Sequence, residues 1–269
     1  MKNIKGKIVL ITGGASGIGR LMAMNFAERE AKVVVWDLNP ITLKELADQA
    51  QQKSLYIKTF VCDVTDKDAV YRLAEKVESE VGAVDVLVNN AGVVSGKPLL
   101  ETPDEKIIQS LNVNTLSSFW TLKAFLPSML KRNAGHIVTI ASAAGIIGVR
   151  GLADYSASKF GAFGLHEAIH MELRQKKSAV RTTIVCPFFI DTGMFSGVKT
   201  KFPFLLPILK SEYAAKTIVK AVLNNRQRLV MPRFVYSVFL LRLFPTTVLD
   251  VLADFFGVNQ AMDEFKGRK

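Results

Sequence analysis

The sequence contains few of the residues that disulfide frameworks and metal sites require. Its 269 residues include only 2 Cys and 3 His. Cys62 and Cys186 each lie beside an apolar run, so we interpret both as buried free thiols in a reducing compartment. His166 and His170 are four residues apart and share one helix face, but no Cys or carboxylate cluster accompanies them. We therefore predict no metal site.

Long hydrophobic runs are also absent from the sequence. No stretch reaches the roughly 18 apolar residues of a membrane-spanning helix, and the early run IVLI is too short for a signal peptide. Neither a composition break nor a repeat marks a second domain. We expect one dinucleotide-binding and catalytic domain over 1–269 and a cytoplasmic location. Residues 188–269 are expected to contribute a substrate loop and an apolar, basic C-terminal region.

Positive charge is concentrated in one part of the chain. The net charge is +11, and nine basic residues accompany one acid, Glu212, between Lys199 and Arg242, which is 9 − 1 = +8. Phe, Leu and Val alternate with these cations. The pattern fits an anionic lipid surface, the mouth of a site for an amphiphilic ligand, or a solvated positive face. We do not expect nucleic-acid binding, because the sequence contains no recognised nucleic-acid module.

Apolar β-branched runs alternate with helical patterns along the chain. Helices of this length between strands predict a parallel sheet with right-handed crossovers. The near-continuous apolar strands indicate burial on both faces. We therefore predict an α/β fold: a single-domain, Rossmann-type, doubly wound parallel sheet of about seven strands with helices on both faces. The predicted strands are 7–12, 32–37, 55–64, 84–92, 135–142, 181–187 and 227–232. A long helix is predicted over about 104–132, and another helix begins near 155 and ends near 175.

A glycine-rich turn, TGGASGIG at 12–19, follows the first strand and opens the first helix. Gly13 permits a tight turn, Gly17 lets a pyrophosphate approach the backbone, and Gly19 lets the helix pack closely on the strand. The helix N-terminus then presents free N–H groups and a positive dipole to the phosphates. This context predicts dinucleotide binding, whereas a glycine-rich turn alone would be weak evidence.

Further motifs follow in a fixed order. NNAG occupies 89–92, Asn114 lies in LNVNT, and Ser142 precedes Tyr155 by thirteen residues. Tyr155 and Lys159 form a YxxxK pair, which by itself would arise by chance in many sequences of this length. Together with the T-G-x-x-x-G-x-G spacing, these motifs resemble the short-chain dehydrogenase/reductase family over essentially the whole chain.

The resemblance implies a catalytic set of Asn114, Ser142, Tyr155 and Lys159. Tyr155 and Lys159 share a helix face, and we expect the nearby ammonium to lower the pKa of the phenol. Tyr155 would then exchange a proton with the substrate oxygen while hydride moves to or from nicotinamide. The family resemblance implies that Ser142 hydrogen-bonds the substrate oxygen, Lys159 holds the nicotinamide ribose, and Asn114 anchors a water in a proton relay.

The resemblance also implies which residues bind the cofactor, and Asp37 indicates which cofactor is used. Asp37 closes the second strand, where a carboxylate accepts hydrogen bonds from the adenosine ribose and repels a 2′-phosphate. No Arg or Lys stands at Ser16 or Leu38, so we predict NAD rather than NADP. Alternatively, Asp37 and Asp63 are turn residues only. The predicted cofactor contacts are Gly13, Ser16, Gly17, Ile18, Gly19, Asp37, Asp63, Val64, Asn90, Ala91, Gly92, Tyr155, Lys159, Pro187, Ile190 and Thr192.

The segment after the sixth strand departs from the general family pattern. Phe188 follows Pro187 where most members carry Gly, and Phe188 and Phe189 either line an apolar substrate pocket or pack in the core. This variant and the C-terminal sequence resemble the branch of retinol dehydrogenases and 17β-hydroxysteroid dehydrogenases. The expected substrate is a lipophilic alcohol or its carbonyl: a retinoid, a steroid or a long-chain alcohol.

The resemblance further implies a homodimer or homotetramer. Animal members of the branch usually carry an N-terminal hydrophobic anchor, which is not seen before the first strand here. Any peripheral membrane contact would then be made by residues 199–245. A helical lid or a dimer surface would equally explain the apolar and basic composition of this region.

Two alternative functions remain open at this point. The same core residues serve a 3-oxoacyl thioester reductase, for which the clustered cations would suit an acyl carrier. A protein that binds nucleotide or a lipid surface without turnover is the second alternative. The intact Ser142, Tyr155 and Lys159 argue against the latter, because pure binding does not require them.

Overall fold

The structure, a computed structural model, describes residues 3–267. Within that range seven parallel strands form one sheet in the order β3-β2-β1-β4-β5-β6-β7. The strand order reverses between β1 and β4, as in a doubly wound sheet, which confirms the predicted fold class. The strands are β1 (Ile8–Thr12), β2 (Lys32–Asp37), β3 (Ile57–Val61), β4 (Val86–Asn89), β5 (His136–Ile140), β6 (Arg181–Pro187) and β7 (Arg228–Met231).

Helices cover both faces of this sheet. One apolar layer contains α1, α2 and α7, and the other contains α3, α5 and α6. The helices of the described residues are α1 (Gly17–Ala27), α2 (Pro40–Gln52), α3 (Lys67–Glu80), α4 (Asp104–Leu111), α5 (Ser117–Lys131), α6 (Ala153–Gln175), α7 (Ser211–Leu223), α8 (Ser237–Leu241) and α9 (Thr246–Phe255).

The second strand shows why the sheet needs helices on both sides. Val33 and Val35 pack into the layer of α1, α2 and α7, whereas Val34 and Trp36 pack into the opposite layer. Successive side chains of a strand point to opposite faces, so an uninterrupted apolar run is buried only between two layers. All four of these side chains are fully buried.

The long helix predicted over 104–132 is interrupted. α4 ends at Leu111, residues Asn112–Leu116 form a π-helical turn, and α5 begins at Ser117. A π turn inserts one extra residue and rotates the side chains that follow it. Helical periodicity in the sequence does not reveal this local change. The turn contains Asn114, so it decides where that side chain points.

Other predicted boundaries also differ from the structure. β5 ends at Ile140 rather than at Ser142, which instead caps a short 3₁₀ turn at Ala143–Gly145. The predicted strand over 55–64 is shorter, because β3 covers only Ile57–Val61. The sequence analysis did not identify α7, which packs against α1, or α8 and α9 near the C-terminus.

The two cysteine thiols are buried, and two of the histidines are paired with threonines. Cys62 and Cys186 are buried free thiols, and burial raises the pKa of each to about 12. His166 and His170 each pair with a threonine hydroxyl at 2.9 Å. Within residues 3–267, no group of three His, Cys, Asp or Glu side chains is arranged to hold a metal ion. Over the same residues, no helix combines the length and apolar character needed to cross a membrane.

Candidate active site

A central cavity of about 340 Å³ opens at the carboxyl ends of the strands, where the strand order reverses. Open α/β sheets bind ligands at this position. Of the catalytic, cofactor and substrate residues predicted from sequence, Asn114 alone does not line the cavity. The predicted residues that line it are Gly13, Ser16, Gly17, Ile18, Gly19, Asp37, Asp63, Val64, Asn90, Ala91, Gly92, Ser142, Tyr155, Lys159, Pro187, Phe188, Phe189, Ile190 and Thr192.

The glycine-rich turn forms a cradle with no room for side chains. Gly13 and Gly17 adopt φ values of 61° and 54°, a region that favours glycine. A Cβ on Gly13 would lie 2.8 Å from the Cα of Ala91, and one on Gly19 would overlap the carbonyl oxygen of Gly13. The first turn of α1 carries no acidic residue, so its positive dipole end faces the cavity uncompensated. These features fit the pyrophosphate of a dinucleotide.

Asn90 braces this cradle from the neighbouring strand. Its Nδ2 atom donates to the carbonyl oxygens of Thr12 and Gly13, both at 2.9 Å. The backbone N–H groups of Asn90 and Ala91 donate to the Thr12 hydroxyl at 3.0 and 3.1 Å. The NNAG segment thus fixes the end of β1, which explains why both motifs occur together.

Asp37 and Asp63 serve as turn residues and also face the cavity. Asp37 accepts hydrogen bonds from the backbone N–H of Ala15 at 3.0 Å and of Asn39 at 3.1 Å. Asp63 accepts from the backbone N–H and the hydroxyl of Thr65 at 2.9 and 2.7 Å. A carboxylate offers about four lone-pair sites. Asp37 therefore keeps acceptor capacity for a ribose hydroxyl while it holds the turn.

Tyr155 and Lys159 lie on the first turns of α6 and are both buried. The Lys159 Nζ is 5.6 Å from the centre of the Tyr155 ring and donates to the carbonyl oxygen of Ile140 at 3.0 Å. Burial raises the pKa of Tyr155 to about 12, against a smaller lowering by a hydrogen bond with Ser142. Burial also lowers the pKa of Lys159 to about 8.

These pKa values correct one expectation from the sequence. We expected the Lys159 ammonium to lower the pKa of Tyr155, but burial dominates and raises it. A low-dielectric environment disfavours both charged forms, and the ammonium is directed at a backbone carbonyl rather than at the phenol oxygen. In this structure Tyr155 is therefore a neutral phenol at physiological pH.

Ser142 presents its hydroxyl beside Tyr155. The Ser142 Oγ accepts a hydrogen bond from the backbone N–H of Ala144 at 3.1 Å. An oxygen that accepts from the backbone in this way still has its own proton to donate. Ser142 is also hydrogen-bonded to Tyr155, and both side chains line the cavity. The two hydroxyls together form a polar corner suited to a single substrate oxygen.

Asn114 lies behind the cavity wall rather than in it. Its Oδ1 accepts from the backbone N–H of Val93 at 2.8 Å, and its Nδ2 donates to the Val93 carbonyl and the Ser158 hydroxyl, both at 2.9 Å. Both amide protons are therefore used. A Cβ on Gly92 would lie 3.4 Å from both the Asn114 Oδ1 and the Lys159 Nζ, so the backbone at Gly92 runs directly beside these two groups.

Aromatic rings wall the other side of the cavity. Phe189 packs against Phe188 and Phe195 with ring centres 4.6 and 5.1 Å apart, and Phe195 meets Tyr155 edge-on at 5.7 Å. Phe189 is buried in the core and also lines the cavity. Core packing and pocket lining, the two roles considered from the sequence, are therefore both compatible with its position. Apolar residues of the C-terminal segment complete this wall: Val238, Leu241, Leu249, Leu252, Ala253 and Phe256.

Comparison with known proteins agrees with this geometry. Residues 7–202 match the short chain dehydrogenase family. The chain belongs to that family. Over its whole length it is 46% identical to human epidermal retinol dehydrogenase 2, covering 88% of that protein. It is 45% identical to short-chain dehydrogenase/reductase family 16C member 6 of Bos taurus and 41% identical to retinol dehydrogenase 10-B of Danio rerio, covering 86% and 87% of them.

Solved structures of short chain dehydrogenases share the fold. One from Burkholderia phymatum in complex with NAD has a TM-score of 0.82 at 25% identity, over 94% of this chain and 97% of the other. A metagenomic short-chain oxidoreductase in complex with NADP has a TM-score of 0.70 at 27% identity, over 84% and 95%. This short chain dehydrogenase is thus an oxidoreductase that acts on CH–OH groups with a nicotinamide dinucleotide.

In this short chain dehydrogenase, sequence reasoning missed a buried aspartate next to the reactive tyrosine. The Asp154 carboxylate accepts hydrogen bonds from the hydroxyls of Ser95 at 2.6 Å and Ser110 at 2.5 Å. It thereby ties the loop after β4 and helix α4 to the start of α6. Ser158, which donates to the Tyr155 carbonyl at 2.7 Å, was also missed. The sequence carries no signal that either side chain is buried.

Proposed function

We propose that this protein is an NAD-dependent dehydrogenase of a lipophilic alcohol: a retinoid, a steroid or a long-chain alcohol. The observation that carries the proposal is the position of the Ser142 and Tyr155 hydroxyls at the end of a compartment walled by Phe188, Phe189 and Phe195. Such a compartment favours an apolar substrate with one oxygen at its reacting end. The retinol dehydrogenase names of relatives that are 41–46% identical support the same substrate class.

In the proposed reaction Tyr155 is the general acid–base that exchanges a proton with the substrate oxygen. The nicotinamide cofactor, when bound, supplies the two-electron hydride acceptor. Tyr155 takes the hydroxyl proton of the alcohol, while Ser142 donates a hydrogen bond to the substrate oxygen. The pKa of about 12 keeps Tyr155 protonated, so the phenol carries the proton that carbonyl reduction requires. Alcohol oxidation would require the phenolate, which a Lys159 ammonium turned from the Ile140 carbonyl toward the phenol oxygen would favour.

Lys159 and Asn114 are proposed to prepare the reacting groups. Lys159 would hold the nicotinamide ribose, and its pKa of about 8 lets it exchange a proton near neutral pH. Asn114 would stand behind Lys159 and Gly92 in the proton relay. Both of its amide protons are bonded to protein, so a water would meet the remaining acceptor capacity of its Oδ1.

Asp37 is the basis for proposing NAD rather than NADP. Its carboxylate faces the cavity at the end of β2, where it would accept from a ribose hydroxyl and repel a 2′-phosphate. The neighbouring cavity residues Ser16 and Leu38 bring no positive charge. The fold itself accommodates both cofactors, so this preference rests on the local charge.

We also propose that the protein forms a homodimer or homotetramer with contacts through α4 and α5. Apolar side chains on these helices and the π turn between them are solvent-exposed: Ile108, Leu111, Leu116 and Phe119. Exposed apolar groups clustered on adjacent helices are typical of an isologous interface. Light scattering at working concentration should give two or four times the chain mass, and a sharp monomer mass would refute the proposal.

Turnover across a panel of alcohols tests the substrate class directly. NADH formation from NAD and NADPH formation from NADP would be followed with alcohols from ethanol to long-chain alcohols, retinol and hydroxysteroids, with 3-oxoacyl thioesters in reverse. We expect kcat/KM to rise with apolar length and to require NAD. Activity confined to the thioester would overturn the substrate class, and activity confined to NADP would overturn the role of Asp37.

A further inference from the structure

A buried carboxylate lies beside Tyr155 at the start of α6. Asp154 is only 4% exposed, and within residues 3–267 it forms no salt bridge. A buried charge without a counter-ion is costly unless hydrogen bonds compensate it. Exceptions of this kind to the general rules of folding are expected at functional sites. The position of Asp154 next to the reactive tyrosine therefore points to a functional role.

Two serine hydroxyls compensate the Asp154 carboxylate, and they come from two different elements. The Ser95 Oγ donates to Oδ1 at 2.6 Å, and the Ser110 Oγ donates to Oδ2 at 2.5 Å. Hydrogen bonds from a hydroxyl to a carboxylate are about twice as strong as neutral ones. Ser95 belongs to the loop that follows β4, and Ser110 belongs to α4. Asp154 thus attaches both elements to the first turn of α6.

The first turn of α6 lacks a capping side chain, so this attachment matters to it. Leu152 is the N-cap residue, and its side chain cannot accept from the free N–H groups of the helix. Asp154 supplies negative charge near the helix N-terminus, which the helix dipole favours. Tyr155 follows as the third residue of the helix. The two hydrogen bonds of Asp154 therefore fix the turn that carries the phenol.

Residues 93–96, which we call the β4 loop, contact the active site. Val93 lines the cavity, and the Asn114 amide holds its N–H and its carbonyl at 2.8 and 2.9 Å. Val94 packs in the apolar cluster that contains Tyr155. Past Val93, the bond from Ser95 to Asp154 is the only hydrogen bond that the β4 loop makes within residues 3–267. This bond is therefore the polar anchor of the segment that packs around the phenol.

Helix α4 is held on α6 at further points, and this difference separates the two serines. Past the end of α4, the Asn114 Nδ2 donates to the Ser158 hydroxyl at 2.9 Å. The Thr115 Oγ1 donates to the Ser158 carbonyl at 2.6 Å. Loss of the Ser110 hydroxyl therefore leaves α4 attached to α6 through the π turn. Loss of the Ser95 hydroxyl instead releases the β4 loop past Val93.

We propose that Asp154 is a positioning residue that holds the β4 loop on the first turn of α6, so that the Tyr155 hydroxyl stays beside Ser142. Asp154 does not line the cavity, so it acts on the reaction through Tyr155. Its loss lowers kcat and leaves the binding of NAD and alcohol nearly unchanged. A displacement of reacting groups by about 1 Å can cost about 10²-fold in rate. This role rests on the proposed function, in which Tyr155 exchanges the proton.

Ser95→Ala and Ser110→Ala form a matched pair, because each removes one hydroxyl from the same carboxylate. The full chain would be assayed with NAD and the alcohol that it oxidises fastest, and urea unfolding would measure stability. The positioning role predicts that Ser95→Ala lowers kcat about tenfold and Ser110→Ala less than about threefold. The KM for alcohol and the Kd for NAD should change less than about threefold in both. Equal kcat values in the two variants overturn the role.

Two substitutions of Asp154 test whether hydrogen bonding positions the tyrosine. Asparagine has a similar shape, and it can accept from one serine and donate to the other. Asp154→Asn should therefore keep kcat within about threefold of the wild type, while Asp154→Ala loses about 10- to 10²-fold. Equal losses in these two variants overturn the role. The serine pair decides the question even where Asp154→Ala does not fold.

Tyr155→Phe separates the positioning role from the proposed function. Full activity of this single variant overturns the proposed proton transfer and the positioning role with it. In the Tyr155→Phe background, Ser95→Ala should lower the residual kcat less than about twofold, because the hydroxyl on which it acts is gone. A further tenfold loss in that background overturns the positioning role and leaves the proposed function intact.

Discussion

Replacement of Lys159 by methionine should stabilise the fold while it abolishes turnover. Lys159 is only 4% exposed, and its ammonium donates to the Ile140 carbonyl at 3.0 Å without a salt bridge among the described residues. A buried ammonium with one neutral acceptor is poorly compensated for the water it has lost. Methionine has a similar length and shape, so it fills the same space without the charge.

The pKa of Lys159 sets the magnitude of this stabilisation. Burial lowers that pKa from 10.5 to about 8. At about 1.36 kcal/mol per pKa unit, the difference of about 2.5 corresponds to about 3 kcal/mol of destabilisation at pH 7. Removing the hydrogen bond to Ile140 costs about 1 kcal/mol. Lys159→Met should therefore raise the free energy of unfolding by about 2 kcal/mol at pH 7.

The sign of the pH dependence follows from proton binding. Between pH 8 and 10.5 the unfolded state binds more protons than the folded state at Lys159, so the stability of the wild type rises with pH. The advantage of Lys159→Met is complete below pH 8 and declines above it. At about pH 9.5 most of it should be gone, because about 1.5 pKa units then correspond to about 2 kcal/mol.

Urea unfolding of both proteins at pH 7 and pH 9.5 measures this effect. Lys67→Met, on the exposed first turn of α3, is the control and should change stability by less than about 0.5 kcal/mol at either pH. A Lys159→Met protein that is less stable than the wild type at pH 7 would refute the reasoning. So would an advantage that does not shrink between the two pH values.

Three further variants test the cofactor site and the assembly. Gly19→Ala should lower NAD affinity in calorimetry at least about tenfold, because its Cβ overlaps the cradle, whereas Gly148→Ala meets nothing within 4 Å and should bind normally. Asp37→Ala should weaken the binding of NAD about tenfold and the binding of NADP much less. Equal losses of affinity for both cofactors would show that Asp37 only stabilises its turn. Phe119→Glu should halve the mass seen in light scattering, and Leu100→Glu should not.

The glycine-rich turn and the strands were predictable because their causes are local. The turn needs positive φ at Gly13 and Gly17, and only glycine takes up that conformation readily. The strand β2 is predictable because it has four consecutive large apolar residues. Their side chains alternate between the two faces of the sheet, so they are buried only if helices cover both faces. Spacing along one strand and one helix then brings Ser142 and Tyr155 to the same edge of the sheet.

The remaining features depend on contacts between distant parts of the chain. The pKa of Tyr155 reflects how deeply the fold buries it, and a four-residue spacing to Lys159 says nothing about depth. The π turn at Asn112–Leu116 and the burial of Asp154 depend on how α4 packs against α6. The composition of 199–245 indicated an unusual surface, but only the structure shows that α9 has one face in the cavity and another in solvent.

The most direct test of the account is Tyr155→Phe, assayed for turnover and for NAD binding in the same preparation. The substitution removes one hydroxyl and keeps the ring that packs edge-on against Phe195. The account predicts that kcat falls about 10²- to 10⁴-fold, the range of general acid–base catalysis, while the Kd for NAD changes less than about threefold. Full activity in Tyr155→Phe would contradict the account, because no proton would then need to pass through that hydroxyl.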